Sequence, residues 1–148
     1  MKAVVQIVRN AFVSVEGTVV GRCERGLLVY LGVAKGDSRE TASFLAEKIG
    51  GLRIFEDAEG KMNLSVKDIG GGVLVVSQFT LLADARKGKR PSYSDAADPH
   101  IAEELYEYFM EEIRKRGIPC EAGVFQARME VAYTNDGPVT IILEKALP

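Results

Sequence analysis

The chain has 148 residues, of which 47% are hydrophobic and 27% charged, and its formal net charge at pH 7 is −2. This length is enough for one domain with a buried core, so we expect a single domain spanning residues 1–148. The apolar stretches are too short to cross a membrane, and the acidic balance does not suit a surface that attracts nucleic acid as a whole. We therefore expect neither a membrane nor DNA as a partner, and any contact with RNA must come from a local patch of positive charge.

The first third of the chain has the pattern of β-strands. Residues 2–8 read as a strand with no signal peptide before it, which predicts a cytoplasmic location. Residues 11–15 and 18–20 flank a Glu-Gly pair, a pattern typical of a tight hairpin in which Gly17 adopts a positive φ. Residues 26–33 are almost entirely apolar, as expected of a strand covered on both faces.

A first helix is predicted from residue 37 onward. Asp37 is positioned to cap it, with Glu40 as the second half of a capping box. A pair of glycines at 50 and 51 then ends it. Its buried stripe has helical spacing and comprises Ala42, Leu45, Ala46 and Ile49.

The middle of the chain alternates short strands with turns. A short strand at 52–55 precedes a turn at 57–60, and three glycines at 70–72 precede the most strand-like run, 73–76. Residues 83–97 are mostly polar and predicted to be irregular.

A second helix is predicted to begin at Asp98-Pro99, an N-cap followed by proline at the first helical position. Its predicted buried face comprises Ile101, Leu105, Phe109 and Ile113. Strands are then expected near 119–121, 124–133 and 138–145, the last two joined by a hairpin loop. The predicted fold class is α/β, with about two main helices and a mixed, largely antiparallel sheet.

The residue types needed for metal or triad chemistry are scarce. His100 is the only histidine, so a metal site or a Ser-His-Asp arrangement has little to draw on. Cys23 and Cys120 lack metal-ligand spacing and read as two reduced thiols. We expect no cofactor and no metal.

Three stretches carry chemistry beyond what folding requires. Residues 77–81, Ser-Gln-Phe-Thr-Leu, place polar groups at the end of a buried strand, either as a site or to satisfy loop backbone groups. Residues 135–140, Asn-Asp-Gly-Pro-Val-Thr, read as a hairpin loop, although that does not explain the proline where the strand resumes. Residues 86–90 hold four cations in five positions, which favours a phosphate-binding patch over a solvated loop.

Together, residues 77–81 and 135–140 resemble the two signature motifs of D-aminoacyl-tRNA deacylases. The resemblance is collinear over essentially the whole chain and includes residues 53–57 with 60–63, 87–92 and 105–106. There are two departures. Ile7 stands where the family usually has arginine, with Arg9 on the same strand face as a substitute, and Phe125-Gln126-Ala127-Arg128-Met129 replaces the usual Phe-Gly-Ala-Asp-Met.

The resemblance implies a barrel-like sheet and a homodimer with active sites at the subunit interface. A cis Gly137-Pro138 bond would project into the partner's pocket, where its carbonyl oxygens accept the ammonium group of a D-residue and exclude an L-side chain. Glycine has no side chain to exclude, so glycyl-tRNA mischarged on the alanine tRNA is an expected second substrate.

The resemblance also assigns the remaining site residues. Thr80 is either a nucleophile or part of a site where backbone N–H groups around Phe79 and Thr80 stabilise the oxyanion while water attacks, helped by the terminal 2′-hydroxyl. The adenosine pocket is expected to comprise Ser77, Gln78 and Phe79, with Phe125 and Met129 as further walls. The acceptor-stem phosphates are expected to contact Arg86, Lys87, Lys89 and Arg90.

Two rival functions use the same residues. A non-catalytic RNA-binding module would use the basic loop to bind RNA without releasing an amino acid. A peptidase or esterase would use Ser77 or Thr80 and would react with a serine-directed inhibitor.

Overall fold

Two long neighbouring strands form the centre of the structure, a computed structural model that describes residues 1–146. These strands, β1 and β2, are joined by a two-residue turn at Glu16 and Gly17, as predicted. Each is about twice as long as the sequence suggested. The strands are β1 (Lys2–Val15), β2 (Thr18–Gly32), β3 (Phe55–Glu56), β4 (Met62–Leu64), β5 (Gly72–Ser77), β6 (Cys120–Ala122) and β7 (Glu130–Glu144), and the helices are α1 (Arg39–Gly51) and α2 (Pro99–Lys115).

The main sheet is mixed, as predicted, with the order β6-β5-β2-β1-β7. β1 runs antiparallel to β2 and β7, whereas β5 runs parallel to β2 and β6, so parallel pairings are as many as antiparallel ones. The expected barrel-like closure is not seen in residues 1–146, because β6 and β7 remain at opposite edges of the sheet.

The core lies on both faces of β2, which confirms the prediction for its apolar run. Leu27 and Val29 face the larger cluster, where α1 and α2 pack against the sheet, while Leu28 faces a second cluster on the opposite side. Phe109 is fully buried at the centre of the helical layer. None of the helices in residues 1–146 has the length and apolarity needed to span a membrane.

The start of α1 differs from the prediction by one residue. Ser38, not Asp37, is the N-cap, and Thr41 takes the part expected of Glu40 in the capping box. The Asp37 carboxylate is used elsewhere, because it accepts the Ala34 N–H at 2.7 Å and lies 2.8 Å from the Met1 ammonium group.

Helix α2 begins as predicted, with Asp98 accepting the His100 N–H and Pro99 in the first turn. Its buried face starts one turn later than expected. Leu105, Phe109 and Ile113 are buried, but Ile101 is 51% exposed because the first turn borders a cavity instead of the core.

The C-terminal part contains the largest departure from the prediction. Residues 124–129 form a turn instead of a strand, and the expected hairpin at 135–140 is absent because β7 is one continuous strand. Both halves of β7 pair with β1 and not with each other. Gln6 pairs with Thr140 and Val8 with Asn135, so residues 136–139 form a four-residue bulge opposite Ile7 alone.

Candidate active site

A cavity of about 840 Å³ opens where β5 ends, beside the first turn of α2. It brings together residues from distant parts of the chain that the sequence assigned to the adenosine pocket: Ser77, Gln78, Phe79, Phe125 and Met129. It also contains residues that the sequence analysis did not select, among them Lys35, Tyr93 and Ala102.

The polar end of β5 is held against β2. The Gln78 N–H donates to the Leu31 carbonyl oxygen at 2.8 Å, and a 3₁₀ helix, Phe79–Leu82, follows. Gly32 allows this close approach, since a Cβ there would lie 2.6 Å from the Leu82 Cδ2 atom and 3.0 Å from the Gln78 oxygen. The first signature motif therefore reaches the cavity from the rigid end of a buried strand.

Two aromatic rings form the outer wall of the cavity. Phe79 is 56% exposed, and its ring meets Tyr93 edge to face with 5.2 Å between centroids. An exposed aromatic ring offers a stacking surface for a nucleobase. Tyr93 was missed because it lies in the irregular segment, where no hydrophobic period marks it.

The opposite wall is supported from the core. The buried Tyr106 hydroxyl donates to the Val75 carbonyl oxygen at 3.2 Å, and its ring lies 6.0 Å from the ring of Phe125. Burial raises the pKa of Tyr106, so its hydroxyl stays protonated at neutral pH. Gln126 has a φ of 64°, the left-handed region that suits the glycine usual at this place in the family.

Thr80 lies beside the cavity but does not line it. Its hydroxyl oxygen accepts a hydrogen bond from the Gln78 side-chain amide, which is not a base. The N–H groups of Phe79 and Thr80, at the start of the 3₁₀ helix, have no backbone acceptor among the hydrogen bonds of residues 1–146. The geometry thus offers backbone donors but no activating base for a threonine nucleophile.

Gly137 and Pro138 lie on the exposed bulge of β7, and neither lines this chain's cavity. The peptide bond between them is cis, as the resemblance implied. Gly137 has a φ of 116°, and a Cβ there would come within 2.9 Å of the Val139 side chain, so glycine is required. Arg9 lies near the bulge, with its Nε 3.6 Å from an Asp136 carboxylate oxygen.

The basic loop is closed at its base by two backbone hydrogen bonds between Asp84 and Ser92, of 2.7 and 2.8 Å. Arg86 donates two side-chain hydrogen bonds to the Asp84 carboxylate, which hold the pKa of Asp84 at about 2. The other three cations, Lys87, Lys89 and Arg90, are exposed and have no ion-pair partner within residues 1–146. Arg86 therefore shapes the loop, and the other three remain available to an anion.

No cluster of three or more histidine, cysteine, aspartate or glutamate side chains suited to a metal ion occurs in residues 1–146. Cys23 and Cys120 are free and buried, and burial raises the pKa of both thiols, that of Cys120 to about 11.

Comparison with known proteins identifies the family. A family model described as D-Tyr-tRNA(Tyr) deacylase matches residues 4–144. A D-aminoacyl-tRNA deacylase of Koribacter versatilis is 62% identical over 144 residues, covering 97% of each chain. Another, from Thermotoga petrophila, is 57% identical over 146 residues, covering 99% of this chain and 98% of that one.

Two solved structures agree with the fold. One, named c-Myc DNA Unwinding Element Binding Protein, has a TM-score of 0.93 at 41% identity and covers 99% of this chain and 100% of its own. The other, a probable eukaryotic D-amino acid tRNA deacylase, has a TM-score of 0.82 at 18% identity and covers 96% of this chain and 97% of its own, a likeness of fold alone. By sequence and by fold, this chain belongs to the D-aminoacyl-tRNA deacylase family of hydrolases.

Proposed function

We propose that the protein hydrolyses the ester bond of D-aminoacyl-tRNA in a site completed by Gly137 and Pro138 of a second copy of the chain. The observation that carries this proposal is the separation of the two signature motifs. Ser77, Gln78 and Phe79 line the cavity, whereas Gly137 and Pro138 stand on an exposed bulge that this chain's cavity does not include.

A homodimer is the arrangement in which such a bulge meets a cavity of the same sequence. In a twofold dimer each chain gives and receives the same element, so one projecting bulge per chain completes two sites. The position of the bulge supports this, because β7 is an edge strand with no neighbour beyond it within residues 1–146. Ile142, on the same strand, is 73% exposed, which suits a surface that a partner covers.

The donated bulge would select chirality by exclusion. A D-residue places its ammonium group toward the carbonyl oxygens of Gly137 and Pro138, which accept its hydrogen bonds. An L-residue would have to place its side chain in that space and is rejected. Glycine carries no side chain, so glycyl-tRNA, including glycine mischarged on the alanine tRNA, is a second substrate under this proposal.

The ester would be cleaved by water, with neutral groups orienting the reaction. Backbone N–H groups of Phe79 and Thr80 are available to stabilise the oxyanion. The 2′-hydroxyl of the terminal adenosine would assist the attacking water. Ser77, Gln78, Phe79, Phe125 and Met129 would hold the adenosine. This scheme asks no side chain in the cavity to act as a strong acid or base.

The basic loop would hold the acceptor stem through its phosphates, without reading sequence. Lys87, Lys89 and Arg90 supply the available charge, and Arg86 keeps the loop in shape through Asp84. Aminoacyl-tRNA is the proposed partner and the cytoplasm the proposed location.

The direct test of the function is deacylation of matched D- and L-tyrosyl-tRNA by the purified protein. We expect D-tyrosyl-tRNA and glycyl-tRNA to be hydrolysed and L-tyrosyl-tRNA to be spared, because only the L-side chain meets the donated bulge. Release of the amino acid is followed with labelled substrate and corrected for spontaneous hydrolysis. Equal rates on both enantiomers would contradict the proposal, and RNA binding without any release would favour a binding module.

Mixing two inactive variants tests whether the site is shared. Phe79→Ala damages the cavity and Pro138→Ala damages the bulge, so in a mixed dimer one site carries both changes and the other neither. Random co-refolding at equal amounts should restore about a quarter of wild-type activity, since half the dimers are mixed and each has one intact site. Mass spectrometry verifies that mixed dimers form. If they form and activity stays absent, each chain builds its site alone.

Thr80→Ala and Thr80→Val distinguish the two mechanisms. Because the Thr80 hydroxyl contacts only the Gln78 amide, we expect both variants to stay within about tenfold of wild-type kcat, whereas loss of a nucleophile costs on the order of 10³ or more. A 3′-aminoacylated tRNA ending in 2′-deoxyadenosine should lose more activity than either variant. Complete loss in Thr80→Ala, with tRNA binding and folding intact, would restore the nucleophile.

The salt dependence of tRNA binding tests the basic loop. Replacing Lys87, Lys89 and Arg90 together by alanine should flatten the slope of log affinity against log salt by about two to three units, equally for every tRNA. Arg86→Ala should change the slope by less than about one unit, because its charge is already paired with Asp84. Lys48→Ala, on the last turn of α1, serves as a control. An unchanged slope in the triple variant would make the loop solvated surface only.

A further inference from the structure

A chain of hydrogen bonds lies behind the bulge and connects β1 to both of its ends. The side-chain oxygen of Gln6 accepts the Tyr133 hydroxyl at 2.8 Å. Its amide nitrogen donates to the Thr140 hydroxyl oxygen at 3.0 Å and to the Asn135 side-chain oxygen at 3.3 Å. Gln6 thus contacts the residue before the bulge and the residue after it.

Asn135 fastens the two ends of the bulge to each other and to β1. Its side-chain nitrogen donates to the backbone oxygens of Ile7 and Val139, both at 3.0 Å. Since the ladder between β1 and β7 is interrupted here, these side-chain bonds replace the backbone pairing that the bulge lacks. The exposed Arg9–Asp136 pair adds little by comparison, because ion pairs in water contribute weakly.

Thr140 carries the connection to the bulge itself. Its hydroxyl has one hydrogen, which lies 3.3 Å from the Pro138 carbonyl oxygen by the donor–acceptor distance and 3.4 Å from the Asn135 side-chain oxygen. Because the Gln6 amide nitrogen donates to the Thr140 oxygen, that hydrogen is not drawn toward Gln6 and remains available to Pro138.

The orientation of the Gln6 amide therefore matters, and Tyr133 controls it. An amide whose oxygen accepts the Tyr133 hydroxyl must turn its nitrogen toward the bulge. Without that hydroxyl the amide can rotate by half a turn and present its oxygen to Thr140. The Thr140 hydrogen would then go to Gln6, and the Pro138 carbonyl would lose its donor. Tyr30 packs beside Tyr133, and burial, followed by the neighbouring Tyr133 hydroxyl, raises the pKa of Tyr30.

We infer that Gln6 and Tyr133 are positioning residues for chiral selection, acting through Thr140 on the carbonyl of Pro138. They do not touch the substrate. They fix the direction of a carbonyl oxygen that faces the ammonium group of a D-aminoacyl ester, and they keep the bulge rigid enough to reject an L-side chain. This role rests on the proposed function of Gly137 and Pro138.

The test is the ratio of kcat/KM for D- and L-tyrosyl-tRNA in three single variants. Tyr133→Phe removes only the hydroxyl, Gln6→Glu keeps the acceptor but removes the donor, and Thr140→Val removes the hydroxyl at constant shape. Each should lower the ratio by about fivefold or more, the factor that one hydrogen bond contributes. Thr140→Ser, which restores the hydroxyl, should recover most of the ratio.

Controls separate positioning from general damage. Tyr108→Phe, a matched loss of a tyrosine hydroxyl on α2, should leave the ratio unchanged, and unfolding midpoints and dimer mass are measured for every variant. If rates on the two enantiomers fall in parallel and the ratio holds, the network is merely structural and the inference is wrong.

The failure of this inference is distinguishable from the failure of the proposed function. If the wild type does not discriminate, or if Pro138→Ala keeps the wild-type ratio, the bulge does not select chirality and the proposed function fails. If Pro138→Ala loses the ratio while Tyr133→Phe, Gln6→Glu and Thr140→Val all keep it, only the positioning role is overturned.

Discussion

The carbonyl oxygen of Val75 is the interaction on which the two walls of the cavity depend. It accepts the Tyr106 hydroxyl at 3.2 Å and the Gly123 N–H at 3.1 Å. The first bond places the ring that supports Phe125, and the second fixes the start of the turn that leads to Met129. Because Val75 is buried in a strand held between β2 and β6, its position is set by the sheet, and the cavity takes its rigidity from there.

The second half of the site has the opposite physical character. The bulge on β7 is exposed and lies at an edge, where unpaired backbone groups ordinarily invite unwanted pairing. A four-residue bulge interrupts that edge, and side chains of Asn135 and Thr140 replace the lost ladder. A donated element has to be rigid before its partner arrives, since any freedom it keeps would admit the wrong enantiomer. The polar network behind the bulge is the means by which an isolated edge meets that requirement.

The sequence predicted those elements whose cause is local. The hairpin turn at Glu16-Gly17 and the start of α2 at Asp98 follow from turn and capping chemistry, and the structure confirms both. The continuity of β7 was out of reach, because Asn-Asp-Gly-Pro is turn chemistry and only pairing with β1 turns it into a bulge. The cap of α1 moved to Ser38 because Asp37 is taken by distant partners. Within the site, Tyr93 lies in an irregular segment without a periodic signal, and Tyr133 gains its meaning only from a strand 127 positions away.

Neutral groups dominate both halves of this site. Burial keeps Tyr106 and Tyr30 protonated, Gln78 and Gln6 are amides, and Thr80 and Thr140 are hydroxyls without a nearby base. Groups of this kind do not move protons at pH 7, but each has donors and acceptors with fixed directions. A reactive aminoacyl ester needs little chemical activation, whereas telling two enantiomers apart needs atoms held in place. The distribution of residues follows that demand: charge is confined to the outer loop that faces phosphate, and the interior of the site is built from hydrogen bonds whose geometry decides which substrate fits.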